Sequence, residues 1–245
     1  MANLYLVEEL ADAVAGADVV LDGAEAKHVV SVSRTRVGER LTVGNGRGLL
    51  AEGVVSAADP TRVVVRVDAV RRLERPAVRL VLVQALAKGD RDELAVQAAV
   101  ELGVDAVVPW QASRSVSRWQ GDKVAKGVRR WRTIVREATK QSVRAWLPEV
   151  SEPVTTAQLA RLAADTRMLV LEPGAPEPLT GIRIDPLDAG DIVVIIGPEG
   201  GIAPEESERL SAAGARPVRL GDWVLRTSSA GPAALAVLNT ALGRW

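Results

Sequence analysis

Residues Asp191–Glu206 read DIVVIIGPEGGIAPEE, and the rest of the chain is organised around them. Ile192 to Ile196 are five consecutive β-branched residues with no polar alternation, which suits a strand covered on both faces. The run breaks at Gly197, Pro198, Glu199, Gly200 and Gly201, where adjacent glycines permit backbone conformations and close ligand approach that side chains block. Pro204 suits a first helical position, and Glu205 and Glu206 complement the positive start of a helix. The stretch therefore predicts a central strand, a glycine loop and a helix. Open α/β sheets bind ligands at such a place, outside the carboxyl end of a strand.

Working outward, Leu80 to Ala85 reads as a strand, Asp90 to Leu102 as a helix closed by Gly103, and Ala106 to Trp110 as a second strand. Together they make a βαβ unit. Further strands are expected at Met168–Leu171 and Val218–Leu220, with helices at Lys123–Gln141, Thr156–Ala164, Pro204–Ala213 and Ser229–Leu242. A parallel α/β sheet follows. The Pro-rich piece Glu172–Pro186 reads as a long surface loop. Upstream the texture changes to short strands at Leu4–Val7, Val19–Leu21, Arg40–Gly44, Gly48–Ser56 and Arg62–Ala69, with a short helix inside Gly23–Arg36 and a hairpin turn at Gly44, Asn45 and Gly46. A compact barrel is the simplest closure. The charged linker RRLERP, Arg71 to Pro76, sets a boundary between residues 1–74 and 75–245.

With 47% hydrophobic and 25% charged residues, the 245-residue chain has ordinary globular composition. It contains no cysteine and one histidine, His28, which excludes disulfides and thiolate chemistry and argues against a metal site. No run approaches bilayer-spanning length, and an N-terminus carrying Glu8, Glu9 and Asp12 lacks the layout of a secretory signal, so a cytoplasmic location is expected.

The formal net charge is zero, but charge is unevenly distributed. Between Arg114 and Arg144 ten Lys or Arg face two carboxylates, Asp122 and Glu137, a local excess of eight. In the helix Lys123–Gln141, Val124, Val128, Trp131, Val135 and Ala138 share one helical face. Arg129, Arg132, Arg136 and Lys140 line another, continued by Arg144. Such a stripe attracts a phosphate backbone, or is a solvated helix face. Trp131 lies on the apolar side and is read as core.

A second loop-to-helix junction occupies Leu220–Leu238, LGDWVLRTSSAGPAALAVL. A strand ends at Leu220, the loop carries Trp223 and Arg226, and Thr227, Ser228 or Ser229 can cap the helix. Neither junction fits a P-loop or a dinucleotide fingerprint, which disfavours ATP and NAD.

IGPEGG from Ile196 to Gly201, followed by LGDWVLRTSSA from Leu220 to Ala230, resembles the paired signature of the RsmE family, the 16S rRNA uracil-N3 methyltransferases of the SPOUT superfamily. QALAKG from Gln84 to Gly89, AAVELG from Ala98 to Gly103 and REATKQS from Arg136 to Ser142 resemble that family's blocks in the same order. HVVSVSRTRVG, His28 to Gly38, resembles its N-terminal substrate-domain motif. Departures are Ser228 where many relatives carry a glutamate, Lys140 in place of an acidic residue, and no arginine near Asn3.

The resemblance implies a PUA-like β-barrel followed by a SPOUT-type, trefoil-knotted parallel-sheet domain, acting as a homodimer on 16S rRNA within the 30S subunit. S-adenosylmethionine is the implied cofactor, placed among Leu171, Glu172 and Pro173; Gly197, Pro198, Gly200, Gly201 and Ile202; and Leu220, Gly221, Val224, Leu225 and Arg226. Arg226 is the first candidate for stabilising charge on the uracil, against an ordinary salt bridge to Glu199. Glu199 is a candidate for positioning loop or substrate. His28, Arg34, Arg36, Arg129, Arg132, Arg136, Lys140 and Arg144 are the candidate RNA contacts. The competing readings are methylation of another ribosomal or transfer RNA site, and a non-catalytic RNA-binding assembly factor.

Overall fold

The structure, a computed structural model, describes residues 4–163, 166–184 and 190–245. The expectations that touch Asn3, Ala164 and Pro186 lie outside the described residues. The chain divides into two compact units, Met1–Arg75 with Thr139–Leu147, and Pro76–Ala138 with Pro148–Trp245.

In the N-terminal unit, β1 (Leu4–Leu6), β2 (Asp18–Asp22), β3 (Arg40–Gly44), β4 (Leu49–Asp59) and β5 (Arg62–Arg72) form one sheet in the order β1-β3-β4-β5-β2. All pairings are antiparallel except β1 with β3. Alternation explains it: in β5, Val63, Val65 and Val67 are buried while Arg62 and Arg66 are exposed. These valines meet Leu21, Leu41, Val43 and Ala51 in one core, which helix α1 (Gly23–Lys27) joins through Ala26. The helix runs straight into a π-helical turn, His28–Val32, whose Val29 is also in that core. The hairpin after β3 is organised by Asn45, whose side-chain oxygen accepts from the N–H groups of Arg47 at 2.8 Å and Leu49 at 3.2 Å.

Sequence order hides why Thr139–Leu147 belongs to this unit. Leu147 N–H donates to Gly46 at 2.9 Å, Gly48 N–H to Ala145 at 2.9 Å, and the Trp146 indole N–H to Leu73 at 3.0 Å. Ala145 packs with Leu4, Leu6 and Leu50 in a second small cluster.

The C-terminal unit is a parallel sheet. Its strands are β6 (Val78–Ala85), β7 (Ala106–Trp110), β8 (Glu149–Val150), β9 (Arg167–Leu171), β10 (Glu177–Pro178), β11 (Gly190–Ile196) and β12 (Arg216–Arg219), in the order β10-β12-β9-β11-β6-β7-β8. Helices α2 (Arg91–Glu101), α3 (Asp122–Gln141), α4 (Thr156–Leu162), α5 (Pro204–Ala212) and α6 (Thr227–Ala241) connect and cover it. The β-branched run does what its lack of alternation requires: β11 is the middle strand, and Ile192 to Ile196 are all buried. Val193 and Ile195 pack with Leu159 of α4 and Leu210 of α5, while α6 packs on β11, β6 and α2. Burying each such side chain contributes about 1.5–3 kcal/mol. At the strand's start Asp191 accepts a two-pronged pair from Arg79 of β6, at 2.8 and 2.7 Å.

Three details differ from expectation. The two-residue strands β8 and β10 were not foreseen, and β10 with the 3-10 turn Leu179–Gly181 gives structure to the Pro-rich loop. Helix α6 begins at Thr227, two residues early, and contains Pro232. In α3, Val128, Trp131, Val135 and Ala138 are buried as the helical spacing predicts, and so is Lys140, which the same spacing put on the basic face.

Candidate functional site

Strands β12, β9 and β11 lie side by side, and the chain leaves their carboxyl ends in three loops. These loops bound a cleft of about 820 Å³, within the roughly 300–1,000 Å³ of small-molecule sites. Leu171, Glu172 and Pro173 line it from the first loop. Gly197, Pro198, Glu199, Gly201 and Ile202 do so from the second, and Leu220, Gly221, Val224, Leu225 and Arg226 from the third. Gly200 is not in the lining; its carbonyl instead accepts from Arg114 Nη1 at 3.1 Å. Arg91, Ile196, Pro204, Ser207, Glu208, Trp223, Thr227 and Ala230 complete the walls.

Two glycines are required locally. A Cβ on Gly197 would stand 2.7 Å from Ile202 Cγ1, so this turn closes only without a side chain. Gly201 has φ +71°, and its N–H donates to Pro198 at 2.9 Å, making the tight turn that brings Ile202 into the cleft.

The third loop is tied to the second by a hydroxyl. Thr227 does not cap α6; the extended Arg226 holds the cap position. Its Oγ1 donates to the Gly197 carbonyl at 2.8 Å and accepts from Gln84 Nε2 at 2.8 Å. Thr227 and Gln84 are both buried, so these bonds fix β6, the glycine loop and the start of α6 to one another. The partners are 143 residues apart, and no local pattern announces them.

Glu199 does not pair with Arg226. It accepts from Lys88 N–H at 3.1 Å and from Arg91 Nη1 at 3.0 Å, fixing the loop that follows β6. Burial pushes its carboxyl up, but hydrogen bonds from its own and the Lys88 N–H, and then from Arg91, outweigh it and hold the group below its ordinary value of 4.5. Glu199 is thus an ionised acceptor. Arg226 is exposed, lines the cleft, and has no ion pair among the described residues.

Glu206, read as a helix-dipole residue, is mostly buried and accepts from Ser113 N–H and Oγ, and from Thr156 Oγ1. The adjoining Arg114 reaches Gly200, so this carboxylate braces the glycine loop from behind α5.

The candidate RNA residues separate into groups. In the N-terminal unit Arg34 and Arg36 are exposed, without ion pairs among the described residues, and Arg34 has φ +54°. His28 and Arg144 are half-buried; Lys140 is enclosed against Glu25. In the C-terminal unit Arg129 and Arg132 are exposed, Arg132 lying 4.0 Å from Glu152, and Arg136 is half-buried. Trp131 is core, as its face predicts, with Trp119 edge-on at 5.4 Å.

A cleft at the carboxyl ends of parallel strands, in a chain that also carries a β unit with exposed arginines, suits an enzyme that holds a small cofactor and acts on RNA. Two families match in that sense: one described as an RNA methyltransferase domain over residues 74–239, the other as an RNA methyltransferase PUA domain over residues 21–68. A ribosomal RNA small subunit methyltransferase E of Mycobacterium tuberculosis is 43% identical over all of this chain and 94% of its own length. The protein of the same name from Bacillus subtilis is 27% identical, over 89% of this chain and 88% of its own. The chain belongs to the ribosomal RNA small subunit methyltransferase E family.

Solved structures agree. The Neisseria gonorrhoeae family member bound to S-adenosyl methionine superposes with a TM-score of 0.86 at 27% identity, covering 98% of both chains. A Legionella pneumophila methyltransferase in complex with the same cofactor gives 0.85 at 31% identity, again covering 98% of both.

Proposed function

We propose that this protein transfers a methyl group from S-adenosylmethionine to N3 of a uridine in 16S rRNA, acting in the cytoplasm on the 30S subunit as a homodimer. The observation that carries the reading is the three-loop cleft of about 820 Å³ at the ends of β9, β11 and β12. It fits the cofactor. Leu171, Ile202, Leu220 and Leu225 offer apolar walls, the turns at Gly197 and Gly201 bring backbone groups close, and Glu172 and Glu208 are anionic partners for a cationic ligand. Family relatives carry the specificity for small-subunit RNA in their names and, in the gonococcal structure, the cofactor itself.

Bound there, S-adenosylmethionine supplies an electrophilic methyl group. The remaining work falls to the chain. Uracil N3 releases its proton to solvent and takes the methyl group as the sulfonium–methyl bond breaks and a neutral thioether departs, so negative charge develops over the ring carbonyls on the way. Arg226, exposed in the cleft and without an ion pair among the described residues, is the group we assign to stabilise that charge. Glu199 keeps Lys88 and Arg91 in place at the cleft's edge, a positioning role. RNA is gripped by Arg34 and Arg36 of residues 1–74 and by Arg129, Arg132 and Arg136 of residues 75–245.

The knot and the dimer belong to the same proposal. The trefoil threading is carried over from the family resemblance, in a sheet that has β11 between β9 and β6. Trp223, 84% exposed, and Val224, 78% exposed, leave apolar surface in the third loop that a second copy would cover. A stable, active monomer in sedimentation contradicts the dimer.

The central test is methyl transfer from labelled cofactor to 30S particles from a strain lacking this protein, beside naked 16S RNA. The label should appear on N3 of one uridine in the 30S particles. Label at another nucleotide, or none, overturns the reading.

A further inference from the structure

Lys140 is where the structure departs furthest from the sequence pattern. Its side chain is only 7% exposed and belongs with the N-terminal unit, where Nζ lies 3.3 Å from Glu25 Oε1 and 3.3 Å from His28 Nδ1. The ammonium also sits 5.9 Å from the ring centre of Tyr5, whose ring meets the imidazole edge-on at 5.7 Å. Tyr5 is fixed in turn by donating its hydroxyl proton to Ser33 Oγ at 2.8 Å. The imidazole is therefore held from two sides.

Donor chemistry settles which nitrogen carries the proton. An ammonium has three donors and no acceptor, so the ring nitrogen that faces it must present a lone pair. With the Lys140 ammonium as the donor, Nδ1 is the acceptor of this contact, which leaves Nε2 as the ring nitrogen that carries a proton. Among the described residues Nε2 has no hydrogen-bond partner, nor is it one of the fully buried side-chain nitrogens left without one, so water reaches it. His28 begins the π-helical turn that leads to exposed Arg34 and Arg36, which places this donor on the same segment as two cations without ion pairs among the described residues.

We infer that Lys140 is a positioning residue that holds His28 in its neutral Nε2–H tautomer, so that the N-terminal unit offers RNA a neutral donor for a base or ribose acceptor. The inference rests on the RNA-binding reading above and sharpens it. Phosphate is gripped by the arginines, whereas His28 reads an uncharged acceptor. The positive charge of Lys140 is spent inside the protein, which removes it from the phosphate-binding stripe that helical spacing suggested.

The test uses the full-length protein and two measurements. Because His28 is the single histidine of the chain, long-range proton–nitrogen NMR spectra report its tautomer without assignment. Wild type and Lys140→Arg should show a protonated Nε2 and a bare Nδ1. The double variant Glu25→Gln/Lys140→Met, which removes both charges of this ion pair together, should show mixed tautomers. A wild-type ring protonated on Nδ1, or mixed, overturns the proposal.

The second measurement is affinity for 30S particles across a salt series. His28→Ala should bind about three- to tenfold more weakly at every salt concentration with an unchanged salt slope, and His28→Gln should recover part of the loss. Arg34→Gln/Arg36→Gln should instead flatten the slope by roughly 0.7–0.9 per arginine. A flattened slope in His28→Ala, with normal wild-type binding, overturns the neutral-donor role alone. Absence of wild-type binding at every salt concentration overturns the RNA reading and the donor role together, while the tautomer result stands apart.

Discussion

Replacing Thr227 with valine keeps the shape of the side chain and deletes the hydroxyl that ties the two glycine-rich walls of the cleft together. That hydroxyl makes two bonds of 2.8 Å, one donated to Gly197 and one accepted from Gln84. Gln84 is fully buried, yet its amide keeps a second acceptor in the Ala85 carbonyl at 3.2 Å. Gly197 is half-buried as a residue, at the wall of an open cleft, so water can partly replace the lost donor. The expected cost is then the net worth of two hydrogen bonds, about 2 kcal/mol, without the full penalty of two orphaned groups. That corresponds to roughly 30-fold in an equilibrium constant. Urea unfolding at fixed temperature should show it as a lower midpoint with an unchanged slope, and calorimetric titration with S-adenosylmethionine should show weaker binding by up to the same factor. Thr227→Ser, which keeps the hydroxyl, should stay near wild type in both. If Thr227→Val unfolds within about 0.5 kcal/mol of wild type and binds the cofactor within about twofold, the bridge does not organise the cleft and the reasoning fails.

Arg226→Gln should lower the single-turnover methylation rate by about 10²-fold while changing cofactor affinity by less than about threefold; equal losses in both would reduce Arg226 to a wall residue. Because the Glu199 carboxyl is held below its ordinary 4.5, its contribution is present above that pH and disappears as pH falls through the folded-state value. Thermal melting midpoints of wild type and Glu199→Gln should therefore converge in acid and separate above it, and a gap that instead widens in acid would reverse the assignment. Gly201→Ala meets nothing within 4 Å, so its cost is the left-handed backbone alone. That is about 1–2 kcal/mol, or roughly 5- to 30-fold in cofactor affinity if the strained turn is needed for binding; an unchanged dissociation constant would show that the turn is not part of the site.

The sequence was most legible where one physical signal ran unopposed. Five β-branched residues from Ile192 admit few places other than the middle of a parallel sheet, and a glycine loop leaving such a strand marks the ligand end of the fold. The apolar face of α3 was readable for the same reason, since Val128, Trp131, Val135 and Ala138 repeat at helical spacing and are buried. Strands β8 and β10 were invisible because two residues carry no period. Lys140 was misplaced because periodicity says which residues share a face and is silent on what covers it; the last turn of α3 folds with Glu25 and His28. Glu206 likewise satisfied a local rule, charge at a helix start, while its carboxylate is committed to Ser113 and Thr156. Gln84 and Thr227 were quoted in the sequence as parts of blocks, but their pairing exists only once β6 and α6 are assembled.

Because Thr139–Leu147 belongs to the N-terminal unit, the chain passes between its two units three times, near residues 75, 138 and 147. No single cut separates them: a fragment ending at Arg75 lacks the Ala145 that packs on Leu4, Leu6 and Leu50 and the backbone donor that Leu147 gives to Gly46. During synthesis the cluster of Leu4, Leu6 and Leu50 cannot be completed by Ala145 until almost 150 residues have emerged, by which time β6, β7 and α3 of the second unit are already available to fold. The two halves are thus obliged to mature together, and their linkage is written into the order of the chain.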